Sequence, residues 1–118
     1  MTPLPRILGA ITVLYSVAII VRPRLLAGPC GLVDKAGEPL PGTSTLIAAM
    51  GARDLAIGAA MMAAPQGAPL HVAIAARVAS DLGDAVSFGT TLPTPAARWR
   101  VGGVALAWAA VCALSALA

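Results

Sequence analysis

Long apolar runs separated by short polar breaks dominate this chain. The first run extends from Ile7 to Val21 without a charged residue and is stopped by Arg22. Three further runs come after it, and the breaks between them are rich in proline and glycine. About 20 apolar residues in a helix are enough to cross the ~30 Å hydrocarbon core of a bilayer. The pattern predicts four spanning helices, at about 3–22, 44–64, 69–89 and 95–118.

Composition points to the same class of protein. Of the 118 residues, 58% are hydrophobic and 11% are charged, and the mean hydropathy is +0.87. A soluble domain of this size carries about twice that share of charged residues. Glycine and alanine are abundant, and such small residues let membrane helices approach closely. We therefore expect an all-α fold, a four-helix integral membrane bundle forming one transmembrane domain over residues 1–118, multi-pass in the cell (inner or plasma) membrane.

The basic residues are distributed unevenly over the two sides of the predicted bundle. One side, which holds the first and third connections, carries five of them: Arg22, Arg24, Lys35, Arg98 and Arg100. The opposite side has only Arg6. Cytoplasmic connections are enriched in arginine and lysine. The distribution predicts that both termini lie on the outer side and that the connection over residues 23–43 is cytoplasmic.

The connection over residues 23–43 is the longest in the chain and is rich in proline and glycine. Its sequence allows two interpretations, a solvated loop or a lid over a cavity that opens on this side. At its end, Thr43 or Ser44 is expected to cap the second span. Thr94 and Pro95 are expected to begin the fourth span, as cap and first helical position.

A cleaved signal peptide is the alternative interpretation of the first run. The segment 25–30 (LLAGPC) has the form of a lipoprotein cleavage box, but Pro29 directly before Cys30 and the arginines upstream argue against cleavage. Cys30 and Cys112 are also too few and too far apart for a disulfide framework or a zinc site. We expect both thiols to be unpaired.

Five charged residues interrupt the second and third predicted spans. They lie in two segments, GARDLAIG at 51–58 and RVASDLGD at 77–84. A charge at the centre of a bilayer costs about 2.5–3.5 kcal/mol on insertion scales, so such residues usually pair and often mark function. The five are Arg53, Asp54, Arg77, Asp81 and Asp84.

The register of the two spans predicts how these charges pair. With the turn centred near residues 66–67, antiparallel neighbours place Arg53 level with Asp81. The same register places Arg77 close enough to pair with Asp54. Asp84 is then the carboxylate without an obvious cation.

The charged cluster has two interpretations. A structural ion network locks the two spans together, although desolvating several ions seldom contributes net stability. A functional site instead uses the unmatched carboxyl of Asp84 as a general acid, with Gly83 beside it and Gly51 across from it leaving room for a ligand. The candidate catalytic residues are Asp84, Asp81 and Asp54, and the candidate substrate-binding or orienting residues are Arg53, Arg77, Tyr15 and Trp108.

The same segments carry a family resemblance. GARDLAIG, followed by a small-residue-rich span with SDLGDA, resembles a family of small four-helix membrane proteins catalogued as domain of unknown function 4267. The resemblance covers most of the chain, and its most specific positions are Arg53, Asp54, Gly58 and Asp84. It implies four transmembrane helices and, by itself, no activity.

Three classes of function remain open. An enzyme of this kind acts on a lipophilic small molecule, as an acid-catalysed isomerase or a terpenoid-type cyclase, similar in site type to larger membrane-bound terpenoid cyclases. The second class is an oligomeric transporter, either of small molecules or coupled to protons. Its size and number of spans resemble those of the small multidrug exporters, but the first span here lacks the acidic residue that their coupling needs. A structural or accessory subunit is the third class.

The motifs of cofactor-dependent and nucleic-acid-binding proteins are missing from the sequence. There is no Walker loop, dinucleotide fingerprint or Ser-His-Asp set, and the single histidine has no second ligand at metal spacing. We expect no cofactor, no metal and no nucleic acid. The expected partners are a lipophilic small molecule and membrane lipid, with a homo-oligomer left open.

Overall fold

The computed structural model describes residues 3–117, which form five α-helices. Within these residues there is no strand, and the only β-type pairing is an isolated antiparallel bridge between Val33 and Pro39. The all-α prediction is confirmed. Four of the helices coincide within a few residues with the four apolar runs. The helices are α1 (Leu4–Val21), α2 (Arg24–Cys30), α3 (Thr43–Ala63), α4 (Ala68–Thr91) and α5 (Pro95–Ser115).

The long connection is more ordered than the sequence predicts, because α2 occupies its first third. Pro23, with φ of −56°, is already in the helical region, and Gly31, with φ of 75°, ends the helix in the left-handed region that glycine tolerates. Leu26 and Ala27 of α2 are buried in an apolar cluster with Ile19 of α1. The helix forms because these side chains find a core to pack against.

Only one of the two predicted helix caps is present. The Thr94 hydroxyl accepts a hydrogen bond from the backbone N–H of Ala97 at 3.1 Å, so α5 begins as predicted. The prediction of a Thr43 or Ser44 cap is wrong. Gly42, with φ of 81°, is the cap residue of α3, because the chain enters the helix through a left-handed conformation and Thr43 already lies inside its first turn.

The four long helices pack chiefly as two pairs, α1 with α3 and α4 with α5. Glycines make the first pair close: a Cβ added to Gly58 would lie 2.9 Å from the Gly9 carbonyl oxygen, and one added to Gly51 would lie 2.6 Å from Ile20 Cγ1. Residues of α1 therefore fill the space beside Gly51. This corrects the prediction that Gly51, across from Gly83, leaves room for a ligand.

The outer surface of the helices is more apolar than parts of the interior. In α1, Leu14 and Val17 are exposed, whereas Gly9, Thr12 and Ser16 are buried. Helices α1, α3 and α5 are long and apolar enough to cross a membrane. Helix α4 carries three charged residues and does not meet the same criteria of length, hydropathy and charge. This pattern is that of a membrane protein.

Candidate functional site

A continuous chain of hydrogen-bonded charges links α3 to α4, and Arg53 forms one half of it. Its Nη2 and Nη1 atoms donate to Asp84 Oδ2 and Oδ1 at 2.8 and 3.3 Å. Its Nε donates to Asp54 Oδ1 at 2.9 Å. Arg53 thus connects a carboxylate on its own helix with one on α4.

Arg77 forms the other half of the chain, and its side chain is only 2% exposed. Its Nε and Nη2 atoms donate to Asp81 Oδ2 and Oδ1 at 3.0 and 2.7 Å, across one turn of α4. Nη2 also donates to Asp54 Oδ1 at 3.1 Å. Asp54 is consequently the central carboxylate, shared by both guanidinium groups, while Asp81 and Asp84 each close one end.

The observed pairing confirms half of the predicted one. Arg77 pairs with Asp54 as expected. The prediction that Arg53 pairs with Asp81 is wrong, and so is the prediction that Asp84 has no cation. A helical side chain leans toward the N-terminus of its helix, and because α3 and α4 are antiparallel, this lean carries the Arg53 guanidinium toward Asp84. Arg77 already occupies both oxygens of Asp81.

Beside the charged chain lies a cavity of about 260 Å³. Six of the seven predicted site residues line it, and the seventh, Arg53, does not. The remaining wall is apolar except for Thr12, whose hydroxyl donates to the Leu8 carbonyl. The six predicted residues are Tyr15, Asp54, Arg77, Asp81, Asp84 and Trp108; the other lining residues are Ile11, Thr12, Ile19, Leu26, Met50, Phe88, Val101, Val104 and Ala105.

We place the mouth of the cavity between α1 and α5. These two helices make few contacts with each other, in contrast to the closely packed pairs. Ile11 and Tyr15 on the α1 side and Val104 on the α5 side line the cavity and are also exposed on the surface. We infer a sideways route into the cavity, through the apolar flank of the helices and not along their axis.

One oxygen of the central carboxylate is not used by the charged chain. Oδ1 of Asp54 accepts from both arginines, and nothing in residues 3–117 donates a hydrogen bond to its Oδ2. No fully buried side-chain oxygen or nitrogen in this part of the chain lacks a partner, so Oδ2 is not sealed off. Since Asp54 lines the cavity, we place Oδ2 at its wall.

The charged chain also carries one more carboxyl group than guanidinium groups. Three aspartates share two arginines, so one negative charge is left uncompensated when all five groups are ionised. An uncompensated charge is costly away from water. A proton or a cationic group beside Asp54 Oδ2 would neutralise the charged chain. Within residues 3–117, no three His, Cys, Asp or Glu side chains are arranged to hold a metal ion.

Phe88 is the cavity residue of most interest that sequence reasoning missed. It follows Asp84 by four residues and Asp81 by seven, so all three side chains lie on one face of α4. That spacing was sufficient to find it. Cys30 and Cys112 are unpaired, as expected, and the structure adds that both are buried.

Comparison with protein-family models, with curated proteins and with solved structures finds no match. The resemblance to domain of unknown function 4267 therefore stays a prediction, and the geometry of the charged chain and its cavity is the basis for assigning a function.

Proposed function

We propose that this protein is a multi-pass protein of the cell (inner or plasma) membrane, a four-helix bundle with α1, α3, α4 and α5 as its spans and both ends on the outer side. The charges of α4 favour its inclusion, because Arg77 and Asp81 are buried and paired while Val72 and Val86 face outward. Charged residues inside membranes typically face the bundle interior in this way. Trp99 is exposed and lies between Arg98 and Arg100 near the start of α5, a position typical of a tryptophan at the membrane–water interface.

Labelling of single cysteines tests this topology. In a variant lacking Cys30 and Cys112, the changes Gly37→Cys and Gln66→Cys place one thiol in each exposed turn at opposite ends of the helices. We expect a membrane-impermeant maleimide added to intact cells to label the thiol at position 66 and to reach position 37 only after the cells are opened. Labelling of both from the same side would contradict the four-span arrangement.

We propose further that the cavity binds a lipophilic small molecule and that its acidic wall catalyses isomerisation or cyclisation through a cation. The observation that carries this proposal is the unoccupied Asp54 Oδ2 at the wall of an apolar cavity. A ligand that dissolves in the bilayer has direct access through the mouth between α1 and α5. A purely structural ion network, the simpler alternative, requires neither a cavity nor a carboxylate oxygen left unused.

The proposed chemistry starts from a proton held on Asp54 Oδ2, which makes the charged chain neutral. Asp54 donates this proton to one carbon of an alkene, so that a C–H bond forms and the neighbouring carbon becomes cationic. The carboxylate then removes a proton from an adjacent carbon, which restores the acid and shifts the double bond. Attack by a second double bond on the cation, before proton loss, gives a ring. No co-reactant is needed in either case.

In this proposal the three aspartates have different roles, and the hydrogen bonds of the charged chain support that division. Asp84, the acid predicted from sequence, is bound through both oxygens to Arg53, and Asp81 is bound in the same way to Arg77. In this proposal they hold the two arginines, which in turn position Asp54. A positioned carboxyl group with one free oxygen is the better proton donor to a ligand in the cavity.

Deuterium incorporation tests the proposed reaction. At ~30 Å³ per water-sized group, the cavity holds on the order of ten non-hydrogen atoms, which matches a C10 alkene such as limonene or α-pinene. Purified protein incubated with these alkenes in D₂O should yield rearranged products with deuterium on carbon, detected by mass spectrometry. Asp54→Asn should abolish the incorporation, and Glu38→Gln, at an exposed carboxylate outside the cavity, should not change it. Wild-type incorporation in Asp54→Asn, or none in the wild type, would contradict the proposal.

A further inference from the structure

Aromatic residues are rare in this chain and are concentrated at the cavity. There are four, and three of them, Tyr15, Phe88 and Trp108, line it. They come from three different helices, α1, α4 and α5, so their meeting is a product of the fold and not of sequence proximity. The fourth, Trp99, is 83% exposed at the basic end of α5.

Aromatic rings and a surplus carboxyl group select the same kind of ligand. The face of an aromatic ring carries negative charge density and attracts cations, most strongly where water is excluded. Asp54 is nine-tenths buried and its Oδ2 has no hydrogen-bond donor among the described residues. An anion would meet the surplus negative charge of the charged chain, and no three His, Cys, Asp or Glu side chains within residues 3–117 are arranged to hold a metal ion.

We infer that the cavity binds a lipophilic monovalent cation, an alkylammonium whose charge lies beside Asp54 Oδ2 and whose alkyl groups contact the aromatic and aliphatic wall. The inference rests on the proposed function, since it concerns the same cavity. It also deepens that function, because a stable ammonium beside the Asp54 carboxylate has the charge and shape of the carbocation that forms once Asp54 has given up its proton. Such a ligand binds more tightly than the neutral substrate to a site that stabilises the cation.

A pair of probes separates recognition of charge from recognition of shape. Tetraethylammonium and 3,3-diethylpentane have the same branched form, with a nitrogen cation in one where the other has a neutral carbon. Each has about nine non-hydrogen atoms, close to the capacity of the cavity. Both are titrated into the full chain in an uncharged detergent. A Trp99→Phe background leaves Trp108, in the cavity wall, as the only tryptophan to report binding by fluorescence.

Two variants test the two features that carry the inference. Asp54→Asn removes the surplus charge, and Phe88→Leu removes one aromatic face while keeping an apolar side chain. We expect tetraethylammonium to bind at least about tenfold more tightly than diethylpentane. Asp54→Asn should remove that preference, and Phe88→Leu should reduce it about threefold with little change in diethylpentane affinity. Equal thermal unfolding midpoints would establish that both variants are folded.

Each outcome of this experiment has a distinct meaning. A preference for the ammonium that Asp54→Asn removes and Phe88→Leu reduces supports the inference. Binding of diethylpentane without a preference for the ammonium overturns the inference and leaves the lipophilic site of the proposed function intact. Binding of neither probe overturns both. Ammonium binding that Asp54→Asn leaves unchanged places the cation elsewhere and overturns the inference as well.

Discussion

Arg53 of α3 holds Asp84 of α4 through two hydrogen bonds, at 2.8 and 3.3 Å. This contact joins the two closely packed helix pairs, which pack against each other much less than the helices within each pair do. Together with the Arg77–Asp54 bond, it fixes the separation of α3 from α4 beside the cavity. The charged chain is thus both a connection between the two halves of the protein and the polar wall of the cavity.

The two arginines should differ in their effect on stability. Arg77→Ala leaves buried Asp81 without a guanidinium and Asp54 with that of Arg53 alone, and it should lower the free energy of unfolding by about 3–5 kcal/mol. Arg53, with a side chain 37% exposed, should cost clearly less when removed, because water screens the carboxylates left behind. Thermal or denaturant unfolding in detergent measures the difference. Equal losses for the two variants would contradict the burial that distinguishes them.

A double-mutant cycle tests the partner of Arg53. Removing Arg53 and Asp84 together, as Arg53→Met with Asp84→Leu, should recover part of the sum of the single losses, with an interaction energy of about 0.5–3 kcal/mol. The matched cycle of Arg53→Met with Asp81→Leu should show much weaker coupling, since Asp81 is bound by Arg77. Stronger coupling to Asp81 than to Asp84 would restore the pairing expected from sequence and refute the observed one.

Two glycines in the charged segments should respond oppositely to alanine. At Gly58 the new Cβ would lie 2.9 Å from the Gly9 carbonyl oxygen, so α1 and α3 have to separate, at a cost of about 1–3 kcal/mol. At Gly83 nothing lies within 4 Å of the new Cβ. Gly83→Ala should therefore be neutral or stabilise α4 by up to about 1 kcal/mol. Unfolding midpoints measure both, and a stable Gly58→Ala would argue against the close α1–α3 pair.

The helices and one ion pair were predictable from sequence for physical reasons that do not extend to the rest of the site. Apolar runs fix where helices form, and antiparallel register places Arg77 near Asp54. The sequence does not say which helix packs against the glycine face of α3, because the strip formed by Gly51 and Gly58 allows close contact with any neighbouring helix. Its contact with α1 and the reach of Arg53 to Asp84 depend on three-dimensional packing.

The same limit explains the missed short helix in the first connection. Seven residues from Arg24 to Cys30 are too few to show a helical period, and Pro29 within them argues against a helix. The segment becomes helical because Leu26 and Cys30 are buried against other helices. Tertiary contacts, which the local sequence does not contain, outweigh its propensity.

The Cys30 thiol should react slowly with alkylating reagents at neutral pH. Burial raises its pKa above the usual range, and the nearby Arg100 guanidinium only partly opposes this shift. A raised pKa leaves less thiolate, the reactive form, so the iodoacetamide rate of a Cys112→Ala variant should be low at pH 7 and should still be rising at pH 9. A thiol introduced at exposed Ala36, in a variant lacking both natural cysteines, is the control. Equal rates for the two thiols would contradict the buried position of Cys30.

Carboxyl labelling from the lipid phase tests the central claim most directly, namely that Asp54 presents a free oxygen to a cavity open between α1 and α5, where the proposed reaction places its proton. Dicyclohexylcarbodiimide is lipophilic and adds to a protonated carboxyl group, leaving a stable acylurea that peptide mass spectrometry locates. A water-soluble carbodiimide serves as the control and should label the exposed carboxylates of Asp34 and Glu38. We predict that dicyclohexylcarbodiimide modifies Asp54 and spares Asp81 and Asp84, whose oxygens are occupied by arginine. Modification of Asp84 in preference to Asp54, or of no carboxyl in α3 and α4, would contradict the account.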